Sequence, residues 1–250
     1  MAKNIGLIQF TGKLGDLVGY TRNGQLIIQR KGGFDGERLK TEERYESVRK
    51  RQSEFGKCAK ISSAIRQALV PWLQYVPNRL VYNHIQSVVM AVKNCDVASE
   101  KGAKTFEKGL KTVDGTALFR KFQLNSKRSL SSGTQVLDLF DWTTGRVAVQ
   151  PSNYKLLPKQ MVWTQLVVVH LDLTTYEWQV TESAVQYCPV LRTRLDLEVA
   201  LPDKEGLSVV FLFVGKVAYE GTYEIKYRDA ETGFGVLDFK WHDTTTNQME

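Results

Sequence analysis

The spacing of apolar positions changes twice along this 250-residue chain. Near the start it forms short segments, Ile5–Phe10, Leu17–Thr21 and Gln25–Arg30, which predict strands. Asn23-Gly24 lies between the last two. Both residue types tolerate the positive φ of a type I′ turn, so the pair predicts a tight hairpin. Gly12, Gly15 and Gly19 come before it and mark a loop, a bulge or a close backbone approach.

From Thr41 the period lengthens. Thr41 is placed as an N-cap, with Glu42, Glu43 and Glu46 in the first turns, where the helix dipole favours acids. Tyr45, Val48, Phe55, Cys58, Ile61, Ile65 and Leu69 then recur mostly at three- and four-residue steps, which predicts one long amphipathic helix. Pro71 ends or kinks it. A second helix is expected over Arg79–Asn94 and a third over Val97–Leu110. Between Gly109 and Gly133 the helical pattern gives way, and Phe119, Phe122 and Leu124 alternate. The domain boundary is placed there, giving 1–133 and 134–250.

After residue 134 the pattern is nearly all β. Strands are expected at Gln135–Phe140, Arg146–Val149, Met161–Leu173, Glu177–Val180, Leu191–Ala200, Leu207–Val217, Gly221–Tyr227 and Val236–Trp241. Leu195, Leu197 and Val199 alternate with Asp196 and Glu198, as one buried and one wet face require. Leu207–Val217 is apolar on both parities and reads as a central strand. The whole is an α+β chain, in which an N-terminal β-hairpin and helical region are followed by an antiparallel β-sandwich.

A hydrophobic content of 42% suffices for a substantial core. The longest apolar runs fall far short of the roughly 20 residues of a membrane-spanning helix, so no membrane partner is expected. The opening MAKNIGLIQF lacks a basic segment followed by a long apolar stretch, which predicts cytoplasmic synthesis without a signal peptide. Cys58, Cys95 and Cys188 show no CxxC spacing, so neither a disulfide framework nor a cysteine zinc site is expected. The net charge of +7 hides a polarity: residues 1–133 carry 24 Lys and Arg against 11 Asp and Glu, and residues 134–250 carry 10 against 16. Nucleic acid, or head-to-tail contact between copies, would each use such a polarity.

Candidate chemistry is sparse. His84, His170 and His242 fall in different predicted elements and in no HExxH motif, and His170 sits in an apolar strand where a structural role is the better reading. Gly12-Lys13-Leu14-Gly15 lacks the phosphate-loop spacing and precedes a strand rather than a helix. No catalytic residue, metal or cofactor is assigned, and the expectation is a non-enzyme. A cleft uniting His170 or His242 with carboxylates would revive an enzymatic reading.

Two functional readings compete. An isolated hairpin is marginal in water, so Gly19, Tyr20, Asn23, Gly24, Leu26 and Ile28 must join another sheet. That sheet belongs either to the same chain or to a neighbouring copy in a homo-oligomer or particle. The alternative is nucleic-acid binding through Arg22, Arg30, Lys31, Arg49, Lys50 and Arg51, whose charges would displace counterions from phosphates. The acids Glu42, Glu43, Glu46 and Glu54 would instead pair such cations along a solvated helix.

Several stretches carry a resemblance: Gly12-Lys13-Leu14-Gly15-Asp16-Leu17-Val18, Asn23-Gly24, Ser53-Glu54-Phe55-Gly56-Lys57-Cys58-Ala59, Ile65-Arg66-Gln67-Ala68-Leu69 and Phe122-Gln123-Leu124-Asn125. In these the first half of the chain resembles families of unknown function from Bacteroidota bacteria and their phages. Gly32-Gly33-Phe34-Asp35-Gly36 departs from the proline-containing stretch expected after the hairpin. The resemblance implies a glycine-bracketed hairpin, a helical middle and a β-sandwich end. It supplies no catalytic residues, and it makes a virion or particle component the expected role.

Overall fold

A computed structural model describes residues 2–3, 10–30, 36–76, 81–125, 128–219, 223–224 and 232–242. Its contacts divide the chain into two units, residues 1–49 and 50–250.

In the first unit the strands β1 (Ala2–Lys3), β2 (Gly12–Leu14), β3 (Leu17–Arg22) and β4 (Gln25–Arg30) form one antiparallel sheet in the order β1-β4-β3-β2. Asn23 and Gly24 have φ of 53° and 76°, as the two-residue turn requires, and Arg22 pairs with Gln25 across it. Gly12–Leu14, expected as a loop or bulge, is a strand. Gly15, at φ 55°, turns it back so that Leu14 faces Leu17. The expected strand Ile5–Phe10 lies outside the described residues except for Phe10. The helix α1 (Gly36–Thr41) and a 3₁₀ turn (Glu43–Tyr45) lead into α2 (Glu46–Ala68). Thr41 therefore ends a helix instead of capping the next. Its hydroxyl donates back to the Glu37 carbonyl at 2.9 Å, the local bond that competes with capping.

The second unit takes the rest of α2, then α3 (Val70–Leu73), α4 (Val81–Asn94), α5 (Phe106–Leu110), α6 (Val113–Arg120) and α7 (Leu130–Gly133). Pro71 lies in the first turn of α3, where its missing N–H costs nothing. The third predicted helix shrinks to α5, because the Asp96 carboxylate binds the Ser99 and Thr105 amides and holds the intervening loop. The alternating pattern read around Phe119 is in fact helical: α6 starts at Thr112, whose hydroxyl accepts the Gly115 amide at 3.0 Å.

Strands follow: β5 (Thr134–Val136), β6 (Arg146–Pro151), β7 (Gln160–Leu171), β8 (Trp178–Glu182), β9 (Gln186–Cys188), β10 (Leu195–Glu198), β11 (Gly206–Tyr219), β12 (Tyr223–Glu224) and β13 (Gly233–His242). Of these, β9 had no counterpart in the predicted strands. As its doubled apolar pattern demands, β11 is central: it pairs along its length with β7 on one side and with β13 and β12 on the other. The far edge of β7 pairs with β8 and β9.

Both faces of this six-stranded sheet are buried. Val167, Val169, Leu207, Val209, Phe211 and Phe213 share a core with helical residues including Ile65, Leu69, Ile85, Val89 and Leu110. Leu166, Val168, Val210, Leu212 and Val214 share a second core with Val147, Val149 and Leu197 of the three-stranded sheet β10-β6-β5. The fold is thus α+β. Residue 133 marks the switch from helices to strands, but helices and large sheet bury one common core, and the compact units part at 49/50 instead.

Candidate assembly surface

Strand pairing sorts the side chains of the N-terminal sheet onto two faces, since cross-strand partners point the same way and neighbours alternate. The pairs Leu14 with Leu17, Gly19 with Ile28 and Thr21 with Leu26 share one face. Val18 with Gln29, Tyr20 with Ile27 and Arg22 with Gln25 share the other. A Cβ at Gly19 would fall 2.2 Å from the Phe10 carbonyl oxygen, so this glycine admits a crossing segment of its own chain.

Little of this sheet is covered. Gly19 is its only buried position among the described residues. Tyr20, Leu26, Ile27 and Ile28 are half-buried, while Leu14 and Leu17 stay 59% and 40% exposed. Among the described residues, the strand partners of the hairpin are β1 and β2 of its own unit. Those partners are short. β2 pairs with β3 only over Leu17–Gly19. Leu14 was missed as a surface residue because its glycine-rich stretch reads as a loop; only the Leu14–Leu17 spacing about Gly15-Asp16 hinted at a second hairpin.

The six cations of the nucleic-acid reading do not act alike. Arg49 donates from Nη1 to the carbonyls of Leu39 and Glu42, both at 2.8 Å, and so ties the α1 end to α2. The stem of Lys50 packs against Gly102. Arg30 faces Asp16 at 4.0 Å in solvent, Arg22 and Arg51 are exposed, and Lys31 lies outside the described residues. Arg49, Lys50 and Arg51 are consecutive on a helix and fan out by about 100° each, so they do not line one face.

The histidines meet more closely than the sequence implied. The rings of His170 and His242 lie 6.1 Å apart at one end of the large sheet. His170 Nε2 is 2.9 Å from the Glu205 carbonyl oxygen, which accepts only, so Nε2 carries the proton and Nδ1 accepts from the Ser208 hydroxyl at 2.9 Å. Ser208 is fully buried. Burial lowers the pKa of both rings below the ordinary value, so each is neutral at pH 7. Among the described residues, the hydroxyl bonded to His170 is the buried one of Ser208, so no exposed nucleophile is held against that ring. Among the described residues no group of three or more His, Cys, Asp or Glu is arranged to hold a metal ion, and no helix is long and apolar enough to cross a membrane.

A buried ion pair is structural. Glu54 and Lys93 pair at 2.6 Å with side chains 7% and 6% exposed. Burial pushes the Glu54 carboxyl up, but Lys93 and the amides of Gly102 and Lys104 more than offset this and hold it below the usual range. Comparison with family models, with curated proteins and with solved structures finds no match.

Proposed function

We propose that this is a non-enzymatic, self-associating structural protein whose copies join through the N-terminal sheet. A component of a particle such as a phage virion is the role that the sequence resemblance suggests. One observation carries the reading: a four-stranded sheet that leaves Leu14 and Leu17 in water and buries only Gly19 among its described positions. The large sheet of the same chain is covered on both faces, so the contrast lies within one molecule.

Magnitudes narrow the mode of association. Burying what remains exposed of the two leucines contributes roughly 2 kcal/mol per copy. Bringing two copies together costs at least about 4 kcal/mol. Counted for both copies, apolar contact at these residues no more than matches the lowest cost, so other contacts of the N-terminal unit must add to it.

Light scattering over a concentration series tests this. Particles larger than one chain, formed without nucleic acid and lost in Leu14→Lys/Leu17→Lys, are expected. A monomer at every concentration, with a steeply salt-dependent affinity for DNA, would favour the cations instead.

A further inference from the structure

The small sheet β10-β6-β5 turns Val147, Val149 and Leu197 inward, which sends Arg146, Ala148, Asp196 and Glu198 to the opposite face. There Ala148, 2% exposed, floors a groove of about 500 Å³ between longer charged side chains. Four carboxylates line it, Asp138, Asp141, Asp196 and Glu198, against two guanidinium groups. Both cations are already engaged: Arg146 bonds Glu198 at 2.8 Å, and Arg194 bonds Asp138 at 3.0 Å and Asp196 at 2.9 Å. The groove therefore keeps a surplus of negative charge. Leu139 at its lip is 94% exposed, an apolar contact ready for a partner.

The same chain carries the opposite charge in its N-terminal unit. Arg22 stands exposed beside the Asn23-Gly24 turn, and Lys13, opposite Val18 and so on the same sheet face as Arg22, is exposed farther back along the hairpin. A two-residue turn makes that tip narrow. We propose that the acidic groove on the small sheet receives the basic hairpin tip of a second copy, so that assembly runs head to tail. This rests on the self-association proposed above and names its receiving surface. A contact between two different patches does not close on itself unless the rotation permits, and it therefore extends into rings or filaments. Exposed charges contribute little each but set which surfaces meet and how fast.

Charge exchange tests the contact. Asp196→Arg/Glu198→Arg and, separately, Arg22→Glu/Lys13→Glu should each weaken association by about tenfold or more, and the four changes combined should restore it. All four positions are exposed, and thermal melts of each variant check that the fold is kept. Assembly that ignores both reversals, or that is weakened by each yet not rescued by their combination, overturns the groove while leaving self-association standing. A wild-type protein that stays monomeric overturns both.

Discussion

A methyl group at Gly109 would lie 2.0 Å from the Val92 carbonyl oxygen, and one at Gly115 would lie 2.0 Å from that of Gly109. These two glycines let α4, α5 and α6 approach backbone to backbone. Gly109→Ala is expected to cost about 1–3 kcal/mol through forced displacement, read as a lower denaturant midpoint. Gly56 is the counter-case: it lies exposed in α2 with nothing within 4 Å of the added carbon. Gly56→Ala should therefore stabilise by about 0.5–1 kcal/mol in the same measurement, since only helix propensity changes. The turn residues are stricter. Asn23→Val/Gly24→Val places β-branched residues at positive φ, which should break the hairpin and, if copies join there, leave folded monomers in light scattering.

Among the elements, α2 and α4 are clasped by Glu54 and Lys93, and the second carboxylate oxygen reaches the loop before α5 through the Gly102 amide at 2.6 Å. Lys93→Met leaves a buried, unpaired carboxylate and should cost about 3 kcal/mol or more. Adding Glu54→Gln should return much of that loss, because the amide oxygen still accepts from Gly102 and the stranded charge is gone. Urea midpoints of the single and double variants measure the coupling. Residues 53–59, 65–69 and 122–125 sit at such points. Glu54 is the clasp, Cys58 and Ile65 are core, and the Asn125 amide donates to the Thr232 carbonyl at 2.6 Å. Their work in this chain is to hold helices to the sheet.

For the molecule as a whole, acid should act in two stages. The folded pKa values of His170 and His242 lie below the ordinary 6.5, first through burial and then through nearby cations, Lys204 for His170 and Lys240 for His242. The Glu205 carbonyl and then Asp172 oppose the shift at His170, and Asp203 opposes that at His242, without cancelling them. The unfolded chain then binds more protons, so stability is full above about pH 6.5 and falls as the pH drops toward the folded values. Glu54 and Asp96 have folded values lowered from 4.5 and 3.8, so what they contribute is lost only at more acid pH still. Thermal melts across this range should show both stages, and His170→Gln should flatten the first. Head-to-tail assembly should also weaken in high salt, where charges more than a few ångströms apart are screened.

Local chemistry alone determined the Asn23-Gly24 turn, the limits of β4, the long helix α2 and the central place of β11, because turn geometry and burial period are written in neighbouring residues. Tertiary structure decided the rest. The start of α5 was misplaced and α6 was hidden, because Gly109 and Gly115 depress helix propensity while serving a close approach visible only in three dimensions, although Thr105 and Thr112 marked both starts. Arg49 looked like a free cation until the fold placed two carbonyls before it, and the acidic groove exists only because Asp138, Arg146 and Asp196 come together from separate strands and loops. Pairings between distant residues depend on which surfaces pack, and no local pattern encodes that choice.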